Sequence, residues 1–358
     1  MRIVVPCIYA LAAVVGWVAA SFHLPLAWVL GPMLVTAGAS MSGVALPKSQ
    51  AGRKVGQLIV GSSIGLTMTP EAGRILLEWS PLMLMTALVT VVVTVLLTVP
   101  FARLTRQNHA TAFFSMTAGG LSEMARVGTA EGARTEVVAL SQAIRVALLV
   151  TFLPQILRHF GEDGGLAAQA DRANLSPLLY AGILVLCLGT VQIVRRLGAS
   201  NPWTIGALLT SALLGGFGVV DGIAPHLPYL FGQYMIGSAI GTRFERDKMR
   251  GIGGILGFSA LFVVVMSLLL VAYAWGLSAL TGFGLSTMVL VASPGGMAEM
   301  ALTAGALHLN VVLVTAFHVI RSFVVNAGCV AFYRLFQRKG VFAGLERGWN
   351  RLVPGSAR

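Results

Sequence analysis

The chain has 358 residues, 56% of them hydrophobic and only 11% charged, with a mean hydropathy of +0.82 and a formal net charge of +12. A soluble globular domain carries about 25% charged residues, so these values exclude one and indicate a polytopic membrane protein. Uncharged apolar runs of about 20 residues span a bilayer as helix, whereas a barrel strand needs only about ten with alternating polarity, so the run lengths exclude strands.

In chain order, the apolar runs of the first half predict helices over 3–21, 24–42, 54–70, 80–101 and 136–157. The start, Met1-Arg2 followed by an apolar run and Ala19-Ala20-Ser21, has the form of a cleaved signal. Its counterpart in the second half cannot be a signal, so it reads as a retained first helix. Residues 161–175 form a linker rich in Gly, Ala and acid. The second half predicts helices over 176–194, 201–219, 229–243, 253–277 and 309–334, and 337–358 reads as a cytoplasmic tail. The expected organisation is a first membrane repeat over 1–160 and a second over 176–336.

The repeat rests on a signature that occurs twice, Ala118-Gly119-Gly120-Leu121-Ser122-Glu123-Met124-Ala125 and Pro294-Gly295-Gly296-Met297-Ala298-Glu299-Met300-Ala301, at an offset of 176. The same offset relates Gly56-Gln57, Gly61-Ser62 and Ile64-Gly65 to Gly232-Gln233, Gly237-Ser238 and Ile240-Gly241, and Ile144-Arg145 to Ile320-Arg321. Nearer the start of each half the offset is 175, relating Trp28, Gly31 and Leu34 to Trp203, Gly206 and Leu209. Long internal repeats of this kind are the trace of many secondary-transporter folds.

Lys and Arg gather in cytoplasmic loops. Lys48, Arg53 and Lys54 correspond to a stretch, 221–227, without Lys or Arg. Arg195-Arg196 correspond to neutral 21–24, Arg103 and Arg106 to neutral 280–283, and the basic 243–250 stretch to 68–78. Every comparison reverses, which predicts two halves in opposite orientation, an odd number of crossings in each, and both termini in the cytoplasm. The expected fold is all-α: two inverted repeats of about five transmembrane helices, each with a broken or re-entrant Gly-Gly element at 109–133 or 285–307. The alternative, full crossing by both elements and twelve helices in all, would place the basic 243–250 stretch outside.

Ionisable residues inside the bilayer normally face a cavity or a partner. Glu123, Glu299, Arg145 and Arg321 stand out as symmetric pairs. In one reading the arginines receive an anionic solute and the glutamates carry a coupling proton or help hold an ion. In the other, Glu123 pairs with Arg145 and Glu299 with Arg321 as structural bridges. Gly119, Gly120, Gly295 and Gly296 permit positive φ and close backbone approach, and a half-helix starting after them offers free N–H groups to an anion. Gln57 and Gln233 are polar enough to line a cavity. His318, at the position of Gln142, is either a proton relay or a hydrogen-bonded interior histidine. Gly61–Gly65 and Gly237–Gly241 have the small-residue spacing of close helix crossings.

The three cysteines and six histidines lack ligand spacing, so neither metal nor cofactor is expected, and enzyme chemistry is not. No segment reads as a nucleic-acid-binding module despite the positive charge. The expected partners are a small anionic solute and lipid, with homo-oligomerisation left open.

The duplicated Trp-x-x-Gly, Gly-Gln-x-x-x-Gly-Ser-x-Ile-Gly and Gly-Gly-x-x-Glu-Met-Ala elements together resemble the AbrB-type duplicated membrane proteins of Gram-negative bacteria, over about 25–335. That resemblance carries labels from regulator of gene expression to ammonia monooxygenase, and it implies an inner-membrane location. The residues themselves favour a secondary carrier of a small organic anion. A membrane sensor that regulates without transport is the alternative.

Overall fold

The computed structural model describes residues 4–22, 24, 26–47, 50–68, 70–160, 173–198, 201–249 and 253–352, with side chains described except at 70–77, 121–122, 160, 248–249 and 352. Arg2, Lys48, most of the 161–175 linker and the end of the tail lie outside the described residues.

Apart from an isolated bridge between Asn174 and Ile223, the regular structure described is helical. The first half comprises α1 (Val4–Ser21), α2 (Ala27–Met41), α3 (Gln50–Gly65), α4 (Pro70–Thr105), α5 (His109–Met116), α6 (Leu121–Ala130) and α7 (Thr135–Phe160). The second comprises α8 (Pro177–Arg196), α9 (Pro202–Gly216), α10 (His226–Gly241), a single turn α11 (Arg246–Met249), α12 (Gly253–Thr281), α13 (Leu285–Ala292), α14 (Met297–Ala306) and α15 (Val311–Arg338). A final helix, α16 (Val341–Leu352), stands where the sequence reads as a tail.

Six of these helices are long and apolar enough to cross a membrane: α1, α7, α8, α12, α15 and the 78–105 part of α4. The predicted helices at α2, α3, α9 and α10 are present but have only 15 or 16 residues. At 1.5 Å per residue each is about 23 Å long, short of the ~30 Å hydrocarbon layer.

The helices do not assemble half by half. α1, α2 and α3 pack with α8, α9 and α10 in one bundle, while α4 to α7 pack with α12 to α15 in a second. Glycine makes the first bundle close. A Cβ on Gly61 would sit 2.6 Å from Thr204 O, and one on Gly65 would sit 2.5 Å from Leu208 O, so α3 lies directly on the backbone of α9. Their counterparts Gly237 and Gly241 admit the carbonyls of Val29 and Met33 still more closely, putting α10 on α2. The sequence offset thus relates contacts as well as residues.

In the second bundle, Thr86, Thr90, Thr94 and Thr98 of α4 each donate a hydroxyl to the carbonyl four residues earlier. An apolar helix can therefore carry them buried without water. Both predicted breaks are real interruptions. α5 ends at Met116 and α6 starts after Gly120; α13 ends at Ala292 and α14 starts after Gly296.

Candidate functional site

The glycines at the breaks serve differently from the sequence expectation. Gly120 has φ −66° and Gly296 φ −74°, ordinary extended backbone, so positive φ is not what these two residues supply. Space is. A Cβ on Gly119 would meet Met124 at 2.8 Å, one on Gly295 would meet Met300 at 2.6 Å, and one on Gly296 would overlap the Glu299 carboxylate.

Each break is held by an arginine from the next long helix. Arg145 of α7 donates Nη1 to Thr117 O at 2.6 Å and Nη2 to Gly119 O at 3.1 Å. Arg321 of α15 makes the equivalent pair with Ser293 O and Gly295 O. The carbonyls just past a helix C-terminus lack intrahelical partners and sit at the negative end of its dipole, so a cation there is doubly favourable. One turn earlier, Gln142 donates Nε2 to Phe114 O at 2.7 Å, and His318 Nε2 lies 2.9 Å from Leu290 O. Arg321 also approaches His318 Nδ1 at 2.8 Å. Arginine only donates, so Nδ1 accepts, Nε2 carries the hydrogen, and both ring nitrogens of a neutral imidazole are engaged. Gln142 and His318 are the same brace in two chemistries.

The two arginines, each 3% exposed, line a cavity of about 80 Å³ between the bundles. A water needs about 10–15 Å³ of such space, so the cavity takes a small solute or several waters. Their Nε atoms are buried and have no hydrogen-bond partner. The second bundle also contributes Gly119, Gly120, Gly295, Gly296 and Glu299; the first contributes Gln57, Asn201, Arg53 and Arg243. Glu299 interacts electrostatically with Arg53, Arg145 and Arg243.

Arg53 and Arg243 read in the sequence as cytoplasmic loop charges, yet both reach the cavity. The signal was periodicity. Arg53 lies four residues before Gln57 on one face of α3, and Arg243, two residues past the end of α10, follows the cavity-lining Ile236 and Ala239 at seven and four.

The remaining expected residues divide. Glu123 lies outside the cavity and pairs with Arg126 three residues on, not with Arg145. Gln233 is buried outside it. His318 is buried behind Arg321. Gly120 donates its N–H to Asn326 Oδ1 at 2.8 Å, whereas the residue equivalent to Asn326 in the sequence repeat is Val150, whose side chain offers no acceptor. Equivalent positions thus meet different environments, and the glutamate and glutamine facing the cavity come from opposite halves.

The fold and this cavity define an all-helical membrane-type protein with a polar, arginine-rich site between two interleaved helix bundles. The chain belongs to the AbrB family: the family model described as "Transition state regulatory protein AbrB" matches residues 28–337. It is similar to "Uncharacterized protein YhjN" of Bacillus subtilis (strain 168), 28% identical with 91% of each chain covered. It is also similar to "Putative regulator AbrB" of Escherichia coli (strain K12), 27% identical over 88% of this chain and 91% of the relative. The Bacillus match shows that chains of this type extend beyond Gram-negative bacteria.

Proposed function

We propose that the protein is a secondary carrier that moves a small organic anion by alternating access of the inter-bundle cavity. In this reading the repeats lie in opposite orientation in the bacterial plasma membrane, with both termini cytoplasmic. One observation carries it: among the described residues, four arginines and one glutamate line a cavity whose walls belong to two separately packed bundles. Buried cations need anionic partners, and a site shared by two bodies can be exposed alternately as they shift. Arg145 and Arg321 hold the breaks and supply positive field, while Glu299 is placed to exchange a coupling proton or ion.

The test is uptake of radiolabelled organic acids into proteoliposomes containing the purified protein. Saturable flux lost in a Glu299→Gln variant is the expected result. Binding without flux would favour the sensor, a reading supported by the regulator named among the relatives and by α16, which packs on α4 and α15 and touches His109 and Phe113 of α5. Orientation is tested by cysteine labelling in cells: positions 54 and 221 are expected on opposite faces, and labelling from one face would remove the inverted arrangement.

A further inference from the structure

We infer that the solute reaches the inter-bundle cavity through a vestibule between α1, α3 and α10 that opens on the membrane face bearing Lys54, while the matching entrance on the other face is shut by Tyr180. The inference rests on the carrier reading and names the route to the same site.

A second cavity, of about 240 Å³, lies within the first bundle. Since a water needs about 10–15 Å³ of such space, it has room for a small solute together with water. Arg53 and Ala239 line both this cavity and the inter-bundle one, so the two are adjacent and share a wall. Tyr9, Pro47, Met235 and Thr242 also line the second cavity. Its mouth lies where α3 begins and α10 ends. Pro47 and Lys54 are exposed there, whereas Thr242 is buried.

The duplication allows the two faces to be compared. Gly31 of α2 packs on Gly16 of α1 as Gly206 of α9 packs on Val191 of α8, so α1 and α8 correspond at an offset of 175, and α3 and α10 correspond at 176. Met235, Ser238, Ala239 and Thr242 of the vestibule therefore match Ile59, Ser62, Ser63 and Leu66. That counterpart is filled. Tyr180 of α8 places its hydroxyl 2.8 Å from Ser62 Oγ and 3.3 Å from Ser63 Oγ, and donates to Ile59 O at 3.3 Å. Leu66 and Tyr180 are buried in one apolar cluster with Leu175 and Ala224. The end of the linker is fastened at the same place, with Leu175 donating its N–H to Ile223 O at 2.9 Å and Ile223 donating to Ala173 O at 3.0 Å. In α1 the position of Tyr180 is held by Val5, which has no hydroxyl to close the vestibule in the same way. One entrance open and its repeat-related partner packed is the asymmetry that alternating access requires of any single conformation, because a path open at both ends would leak.

The test uses the full-length protein carrying Cys7→Ser, whose other cysteines are buried, in right-side-out and inside-out membrane vesicles. The probe is the membrane-impermeant thiol reagent sulfonatoethyl methanethiosulfonate, with thermal melts checking that each variant is folded. Ala239→Cys and, independently, Thr242→Cys should be modified from the face on which Lys54→Cys is modified. Ser63→Cys, the counterpart of Ala239→Cys, should react about tenfold or more slowly from the opposite face, the scale of a minor conformation. Modification of either vestibule variant should abolish organic-acid flux, and reduction should restore it. If neither vestibule variant is reached from the Lys54 face, the space is a lipid-filled crevice and the inference falls. It falls also if both are modified with flux intact, or if Ser63→Cys reacts as fast as Ala239→Cys. Absence of flux in the wild-type protein overturns the carrier reading instead, and the labelling pattern still decides whether the cavity opens on this one face.

Discussion

Arg145 and Arg321 separate a structural from a ligand role at single-residue resolution. Their partners are backbone carbonyls at the breaks, and a buried carbonyl left without a donor costs about 1–3 kcal/mol. Arg145→Met and Arg321→Met should therefore each lower the melting temperature of the purified protein even without ligand, whereas Arg243→Gln should leave it nearly unchanged. Equal melting of all three variants would refute the bracing role. Gly296 is the second residue-scale case. An added methyl there overlaps the Glu299 carboxylate, while the same change at Gly120 meets its nearest neighbour, Asn201 Nδ2, at an ordinary 3.4 Å. Gly296→Ala should reduce ligand affinity or flux about 10- to 100-fold, the scale of a misplaced site group, with Gly120→Ala much milder. The duplication made all four residues conspicuous in the sequence. It could not show that the arginines point at main chain, because that depends on where α5 and α13 end relative to α7 and α15.

α16 is the element that composition concealed, since Val341–Leu352 is short and basic enough to pass for a tail. Its Phe342 is 3% exposed and packs among His109, Phe113 and Tyr333, and Glu346 receives Arg103 at 3.0 Å and His109 at 3.0 Å. Removing a buried phenylalanine costs about 3–5 kcal/mol, more than a helix this short can make up by itself. Phe342→Ala should release α16 and expose it to limited proteolysis while the membrane bundles stay folded. Protection unchanged from wild type would show that α16 is held by something else. The broken helices, by contrast, were legible in outline: the Gly-Gly pairs mark each interruption, but their role is to admit Met124, Met300 and Glu299 rather than to turn the backbone.

For the whole molecule, a cavity formed by two bundles ties function to their relative motion. Gly120 of one bundle and Asn201 of the other stand side by side, so cysteines at 120 and 201, in a background lacking Cys7, should form a disulfide on oxidation. Flux should stop when the bridge forms and return on reduction; transport continuing through the cross-linked protein would exclude motion between the bundles. The sequence by itself determined the helical membrane class, the duplication and its offset, and the position of both breaks, because hydropathy, spacing and glycine are written locally along the chain. Only the tertiary structure decided that α1–α3 join α8–α10 instead of their own half, that Arg53 and Arg243 turn inward from apparent loops, and that Glu299 faces the cavity while Glu123 does not. Those outcomes depend on which helix faces meet across long separations, and identical motifs acquire different surroundings when Asn326 accepts the amide at one break while its counterpart in the repeat, Val150, has no acceptor to offer.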